Sequence, residues 1–238
     1  MAIRPDNNMF LDIFKKVPLW SPLLLEGSTD YHSHILPGVD DGVRELKVSL
    51  SILSSFEQMG VSHLWCTPHI MEDMPNTTED LRRRFDELQA AYQGSVCLHL
   101  SAEYMMDTLF VTRLEANDLL PLGDAGDQLL VETSYFNPPS DFHQLLETIQ
   151  SKGYFPVLAH PERYTYMDED DYKELKNKGI RFQLNLGSLV DVYGKTARKK
   201  AEWMLKMGFY DMHGSDIHSP RMLMPNAKIS KRLNLNLK

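Results

Sequence analysis

The chain has 238 residues and a mass of 27.4 kDa, and 42% of its residues are hydrophobic and 24% charged, which is typical of a globular protein with a sizeable core. Its 33 acidic and 25 basic residues give a formal charge of −8, which excludes the diffuse positive field that nucleic-acid-binding proteins use. The two cysteines, Cys66 and Cys97, exclude a disulfide scaffold and a four-thiolate zinc site, and they fit a reducing cytoplasm.

The N-terminal segment, residues 1–28, is rich in apolar side chains such as Phe10, Phe14 and Trp20. Charged residues and prolines interrupt its apolar pattern, so it does not resemble a secretory signal. No run in the sequence approaches the roughly 20 apolar residues of a membrane span, so no transmembrane segment is predicted. We expect residues 1–28 to form an arm that packs its aromatic side chains on a single domain of residues 29–238.

From residue 29 onward, short apolar segments alternate with amphipathic ones, a pattern that indicates βα units and a parallel sheet. Strands are predicted at residues 31–35, 62–67, 96–102, 128–133, 154–159, 180–186 and 209–214. Helices are predicted at residues 44–59, 77–92, 107–116, 141–152, 168–177 and 196–207. Since no linker or repeat divides the chain, we predict one closed or nearly closed α/β barrel similar to a TIM barrel. A doubly wound open sheet is the alternative.

The predicted strands end in residues that bind metals or transfer protons. In the first strand, Asp30, His32 and His34 alternate and therefore share one face. Parallel strands all end at the same face of a barrel, so the polar groups at the other strand ends should gather there. Nine candidate ligands are predicted, of which Asp41 lies in the loop after the first strand: His32, His34, Asp41, His69, Glu103, Glu132, His160, Asp216 and His218.

Five imidazoles and four carboxylates are more ligands than one ion needs. Without cations the carboxylates would repel one another and protonate, so we predict a cluster of two or three divalent ions, with manganese, iron and zinc all suited to these donors. Arg163 and Arg221 each follow a candidate histidine by three positions and are predicted to bind phosphate. Tyr135, Phe136 and the prolines at 138–139 are predicted to wall the pocket.

Together these stretches resemble the polymerase-and-histidinol-phosphatase (PHP) superfamily, and within it the manganese-dependent protein-tyrosine phosphatases encoded with bacterial capsule and exopolysaccharide genes. The resemblance covers residues 29–221, with a shorter spacer before Arg221 than in many relatives. It rests on residues 30–34 (DYHSH), 37–42 (PGVDDG), 67–69 (TPH), 102–103 (AE), 130–132 (LVE), 159–164 (AHPERY) and 215–218 (SDIH), which follow the order of the family.

The resemblance implies a distorted seven-stranded (β/α)7 barrel, a trinuclear centre built from the nine candidate ligands, and phosphate contacts from Arg163 and Arg221. Two to three divalent ions are implied, with Mn²⁺ expected and iron or zinc as alternatives. The implied activity is hydrolysis of phosphotyrosine on a protein by attack of metal-bound hydroxide. By analogy, the substrate is the tail of the tyrosine autokinase that controls capsular or exopolysaccharide synthesis, in the cytoplasm.

Three other functions stay open from the sequence. A histidinol-phosphate phosphatase, or another small-molecule phosphatase, would use the same centre. An amidohydrolase also begins with His-x-His in a barrel, but that family usually has a lysine at the end of the fourth strand, where this chain has Glu132. A binding module with structural metals would be expected to have closed four-ligand sites rather than this many mixed ligands. The oligomeric state stays open as well.

The remaining reactive residues are predicted to be structural. Thiolate phosphatases have an arginine six positions after the cysteine, whereas this chain has Glu72 after Cys66 and Glu103 after Cys97. Both cysteines are therefore predicted to be small core residues rather than nucleophiles. The histidines that lie away from the strand ends are predicted to be structural too: His63, His99, His143 and His213.

Overall fold

The structure, a computed structural model, describes residues 16–224 and 226–230. Its strands are β1 Lys16–Pro18, β2 Thr29–Ser33, β3 His63–Cys66, β4 His69–Ile70, β5 Cys97–Leu100, β6 Glu103–Met105, β7 Gln128–Glu132, β8 Phe155–Ala159, β9 Arg181–Asn185, β10 Met212–Gly214 and β11 Lys228–Ser230. Its α-helices are α1 Pro22–Leu25, α2 Leu46–Gln58, α3 Thr78–Ala91, α4 Thr108–Ala116, α5 Phe142–Ser151, α6 Glu169–Asn177 and α7 Gly194–Met207. The α/β alternation predicted from the sequence is confirmed.

The strands from β2 to β10 are parallel and form two sheets. One sheet has the order β2-β3-β5, and the other has the order β10-β9-β8-β7-β6-β4 and curls as half a barrel. After short interruptions, β4 continues the direction of β3 and β6 that of β5, so the chain passes twice from the first sheet into the second. The described ladders thus do not form one continuous seven-stranded sheet, although a parallel bridge from Ser33 to Ile217 joins the two sheets.

The close approach of β10 to β2 depends on a glycine. A Cβ on Gly214 would collide with the Cβ and backbone nitrogen of His32, so no larger residue fits there without a shift. Beyond Gly214, Asp216 N donates to His32 O at 2.8 Å, and His34 N donates to Ile217 O at 3.1 Å. This contact places the residues that follow β10 beside the end of β2.

The main core lies between the sheets and the helices. Helix α5 is an example of how the helices contribute to it: the buried residues of this helix recur at the spacing of one helical face, and they are Phe142, Leu145, Leu146 and Ile149. A second, much smaller apolar cluster contains Leu130, Val157 and Ala159. These residues alternate along β7 and β8 with main-core residues, so they lie on the opposite face of the sheet. That face is mostly polar at its two ends.

The described part of the predicted arm packs on the domain. β1 pairs antiparallel with β11, and Leu19 and Leu25 are buried. Phe10 and Phe14 lie outside the described residues, and the boundary at residue 28 stays a prediction. Among the helices that the structure describes, none combines the length and apolarity needed for a membrane crossing.

Candidate metal centre

The strand ends bring the predicted ligands together at one edge of the sheets. His32 lies in β2 and His34 follows it, while Glu132 ends β7 and His160 follows β8. The remaining ligands of this edge begin the short strands β4 and β6 or follow β10: His69, Glu103, Asp216 and His218. The short strands matter because they continue β3 and β5 toward this edge. All these side chains are buried except that of His218, which is partly exposed.

Four side chains meet around one point at the centre of the cluster. His32 Nε2 lies 3.0 Å from His34 Nε2. Glu103 Oε2 lies 3.2 and 3.3 Å from these two nitrogens, and Asp216 Oδ1 lies 3.5 and 3.4 Å from them. Two imidazoles facing two carboxylates at such distances have the arrangement of donor atoms around a shared cation.

Further ligands surround this point on two sides. His69 Nδ1 is 3.2 Å from both Glu103 Oε2 and Glu132 Oε1, and His160 Nε2 is 3.0 Å from Glu103 Oε1. On the solvent side, Asp41 Oδ1 lies 3.6 Å from His69 Nε2 and 3.4 Å from His218 Nε2. The structure thus brings together all nine side chains that the sequence singled out.

Unsatisfied buried atoms show that these residues fit divalent ions. Glu103 Oε2 and His69 Nδ1 are buried and have no hydrogen-bond partner, although they lie close to each other. An unpaired buried polar atom is costly, and a bound cation would satisfy both atoms at once. Nitrogen and oxygen donors without a thiolate suit manganese, iron or zinc.

The pKa values of His32 and Glu103 also indicate that this cluster is stabilised by positive charge. Burial would lower the pKa of His32, but the negative charges of Glu103 and Asp216 outweigh it and raise that pKa to about 9. Burial would raise the pKa of Glu103, but the charges of His32 and His69 hold it well below its usual value. The carboxylates therefore stay ionised only beside positive charge, which protonated histidines or bound cations supply.

Two of these residues have a strained backbone. His160 and Asp216 have φ of +36° and +51°, in the left-handed region that non-glycine residues seldom adopt. Such strain costs on the order of 1–3 kcal/mol and concentrates at functional sites. His160 comes directly after β8, and Asp216 comes two residues after the end of β10.

Polar neighbours that the sequence analysis missed hold two of the histidines and Asp216 in place. Asp40 Oδ2 accepts a hydrogen bond from His34 Nδ1 at 2.8 Å, and Gln183 Oε1 lies 2.9 Å from His32 Nδ1. Asn185 Nδ2 donates to Asp216 Oδ2 at 2.7 Å. Because each contact uses the atom that faces away from the cluster, it orients the other atom toward it.

Asp40 is ionised in this arrangement. Burial would raise the pKa of Asp40, but the charge of His34 and the hydrogen bonds from His34 and Gly42 outweigh burial and lower it. Gly42 is itself required, because a Cβ there would collide with the His34 backbone oxygen. The loop 37–42 therefore places Asp40 against His34 and Asp41 beside His69 and His218.

Arg163 lies at the rim of the cluster between two aromatic rings. Its Nη1 donates to Asp216 Oδ2 at 2.8 Å. Its guanidinium carbon lies 4.3 Å from the centre of the Tyr135 ring and 4.0 Å from that of the Tyr193 ring. Cation–π contacts with both rings restrict the orientation of the planar group. Arg163 lines a cavity of about 430 Å³ whose polar end is the cluster and whose sides include Tyr135, Tyr193 and Met222.

Several predicted residues lie elsewhere. Arg221 is exposed in the 3₁₀ helix Pro220–Met222, and Met222 rather than Arg221 lines the cavity. Its predicted contact with phosphate stays a prediction. Phe136 is 69% exposed and does not wall the cavity as predicted.

The prolines predicted as a wall, at 138–139, line a different cavity. The two cysteines differ from each other. Cys66 is buried as predicted, and burial raises the pKa of its thiol. Cys97 is exposed, so its assignment to the core is wrong. The reason is its place at the open N-terminal end of β5.

A parallel α/β fold whose strand ends gather imidazoles and carboxylates around shared points is the architecture of a metal-dependent hydrolase. The chain belongs to the capsular polysaccharide synthesis family CpsB/CapC, whose sequence pattern matches residues 28–235. The family predicted from the motifs is thereby confirmed.

Named relatives cover most of the chain. It is 29% identical over 209 residues to the tyrosine-protein phosphatase CpsB of Streptococcus agalactiae serotype V, covering 80% of this chain and 82% of that one. It is 28% identical over 196 residues to the tyrosine-protein phosphatase YwqE of Bacillus subtilis, covering 80% and 77% of the two chains.

One solved structure has the same fold, with a TM-score of 0.70 at 23% identity over 88% of this chain and 85% of that one. It comes from work on YwqE from Bacillus subtilis and CpsB from Streptococcus pneumoniae, described as unique metal-dependent tyrosine phosphatases.

Proposed function

We propose that this chain is a metal-dependent tyrosine-protein phosphatase, which hydrolyses phosphotyrosine in a protein. The names of its relatives support this activity, which the sequence motifs also predict. The main structural support is a cluster of two imidazoles and two carboxylates around one point, with Arg163 at the rim of the same cavity.

The nine strand-end residues are proposed to hold two to three divalent ions, with Mn²⁺ as the first choice and iron or zinc as alternatives. Their ligand atoms support more than one ion because they fall into several groups, each within 4.8 Å: His34, Asp41, His69 and His218; His32, His34 and Asp216; His32, Glu103 and His160; His69, Glu103 and Glu132. Divalent ions bound there would lower the pKa of water and offset the negative charge of the phosphoryl oxygens.

Arg163 is proposed to bind the phosphoryl group. One of its N–H groups already donates to Asp216, and a guanidinium has five N–H donors in a fixed plane. Because Tyr135 and Tyr193 hold that plane at the rim, its free edge can bind two phosphate oxygens without a further loss of side-chain freedom. The interaction would strengthen as negative charge shifts on the phosphoryl oxygens during bond breaking.

The shape of the cavity supports an aryl phosphate as substrate. Its polar floor lies at the cluster, and the side chains of Tyr135, Tyr193 and Met222 form apolar walls above it. A phosphotyrosine ring can contact these walls while its phosphate reaches the floor. The shorter side chain of phosphoserine would have to draw its peptide backbone into the cavity.

The partner proposed for this site is the phosphorylated tail of a bacterial tyrosine kinase, with the cytoplasm as the compartment. Support comes from the capsular polysaccharide description of the family and from the two unpaired cysteines. We further propose that the two sheets together act as a distorted seven-stranded barrel, and that residues 29–238 form one domain behind an arm of residues 1–28.

A substrate panel tests the activity. The chain is freed of metal with a chelator, reloaded with Mn²⁺, and assayed on a phosphotyrosine peptide, on the same peptide with phosphoserine, and on histidinol phosphate. The phosphotyrosine peptide is expected to have a kcat/KM at least about tenfold above the others, or about 1.4 kcal/mol. Faster hydrolysis of histidinol phosphate would favour the small-molecule alternative, and activity that survives chelation would contradict the metal requirement.

A further inference from the structure

The opposite end of the same strands carries a second group of ligand side chains. His63 begins β3 and Cys97 begins β5, with His99 two residues further along. In the parallel ladder, His63 pairs with Cys97 and Trp65 pairs with His99. Paired residues and alternate residues lie on the same face of a sheet, so two imidazoles and one thiol project together from its N-terminal end.

The three donor atoms are close enough to bind one ion. His63 Nδ1 lies 3.0 Å from His99 Nε2, and one ligand atom each from His63, Cys97 and His99 lies within 4.8 Å of the others. Zinc bonds of about 2.0–2.1 Å to nitrogen and about 2.3 Å to sulfur place tetrahedral ligand atoms roughly 3.3–3.6 Å apart. Small side-chain rotations would therefore bring these donors to zinc distances.

The surroundings leave this group open to solvent and partly oriented. His63 and Cys97 are exposed, and both histidines line a cavity of about 550 Å³. The Trp65 ring stacks on His99 with 4.7 Å between ring centroids and 18° between planes, which fixes the plane of that imidazole. Asp124 lines the same cavity and adds negative charge beside His99.

We propose that His63, Cys97 and His99 form a zinc site that ties β3 to β5 at the N-terminal end of the sheet. This site is separate from the cluster of nine proposed ligands at the opposite end, which we call the strand-end centre. The thiolate makes this donor set softer than the strand-end centre, which has only nitrogen and oxygen donors. Soft donors favour zinc over manganese or magnesium. The alternative is a simple hydrogen bond between His63 and His99, with Cys97 as a bystander.

Cobalt titration distinguishes these two possibilities in the full, reduced chain. A thiolate bound to Co²⁺ gives a charge-transfer absorption in the near ultraviolet, whereas the strand-end centre contains no thiolate. With the strand-end centre first loaded with Mn²⁺, added Co²⁺ is expected to produce this absorption, and an equal concentration of Zn²⁺ is expected to remove it. Cys97→Ser should abolish it, and His63→Ala should weaken Co²⁺ binding by more than the roughly 10- to 100-fold that outer-shell changes cost.

Cys66→Ser is the matched control, since Cys66 is buried in the core and belongs to no group of candidate ligands among the described residues. It should keep the absorption. Absence of the absorption in the wild-type chain, its persistence in Cys97→Ser, or saturation only at millimolar Co²⁺ would overturn the proposal. The absorption does not depend on phosphatase activity, so this experiment tests the zinc site separately from the proposed function.

Discussion

Replacing Asp40 by asparagine should weaken metal binding and slow turnover, although Asp40 is not among the nine proposed ligands. Its Oδ2 accepts hydrogen bonds from His34 Nδ1 at 2.8 Å and from His69 N at 3.1 Å. Its Oδ1 accepts one from Gly42 N at 2.9 Å. Since Nδ1 of His34 carries the proton that Asp40 accepts, Nε2 presents a lone pair to the centre.

The magnitude follows from counting donors and acceptors, because asparagine has one oxygen where Asp40 has two. If that oxygen keeps the bond from Gly42, the amide NH₂ faces His34 Nδ1, and His34 must move its proton to Nε2, where a metal would bind. If the amide turns over, its NH₂ meets the N–H of Gly42. Either arrangement loses at least one hydrogen bond to a charged group, about 1.5–3 kcal/mol, which corresponds to roughly 10- to 150-fold.

The assay measures Mn²⁺ affinity by calorimetry and kcat/KM on an aryl phosphate at limiting and saturating Mn²⁺. Asp86→Asn is the matched control, because it removes the same charge from an exposed position on α3, and it should behave as wild type. A folded Asp40→Asn variant with unchanged affinity and unchanged kcat/KM would refute the argument that Asp40 sets the tautomer of His34.

Three further predictions follow from the site and the core. Arg163→Ala should lower kcat/KM on a phosphotyrosine peptide by roughly 30- to 1,000-fold with metal content unchanged, and near-wild-type activity would contradict its phosphate contact. Arg221→Ala should also lower kcat/KM if the sequence-based prediction of a second phosphate contact is right, and near-wild-type activity would show that Arg163 binds the phosphate without Arg221. Cys66→Ser should keep full activity, because burial raises the pKa of this thiol; loss of activity with metal retained would indicate a thiolate nucleophile. Burial lowers the pKa of His213 to about 4, against about 6.5 when unfolded. Because the unfolded chain then binds a proton more readily than the folded one, the free energy of unfolding is unaffected by His213 above pH 6.5 and falls by up to about 3 kcal/mol as the pH drops to 4. The free energy of unfolding, measured with urea across that pH range, should depend less on pH in His213→Leu than in the wild type. Parallel curves for the variant and the wild type would contradict the lowered pKa of His213.

The strand-end ligands could be predicted because one physical rule covers them. Parallel strands end at the same edge, so polar residues after separate apolar segments must meet. The rule does not predict which strands hydrogen-bond to each other. In this respect the chain departs from a regular barrel, because its parallel strands form two sheets. Each of the strands predicted at 62–67 and 96–102 is followed by a separate short strand, β4 or β6, that pairs in the other sheet.

Two of the groups that orient the ligands, Gln183 and Asn185, were missed because they act over long sequence separations. Gln183 contacts His32 across 151 positions, and no local pattern relates the two. One signal was present, since Gln183 and Asn185 alternate with the buried Phe182 and Leu184 near the end of a predicted strand. Polar residues on the inner face of a strand need partners there.

The metal content of the Cys97→Ser variant, measured together with its phosphotyrosine phosphatase activity, tests the central claim most directly. This variant removes the separate thiolate site, so the remaining ions belong to the strand-end centre. Two to three equivalents of divalent metal are expected, with activity lost on chelation and restored by Mn²⁺, and with both metal and activity reduced in the further variants His34→Ala and Asp216→Ala. Full activity in a protein without bound metal, or undiminished activity in either ligand variant, would contradict it.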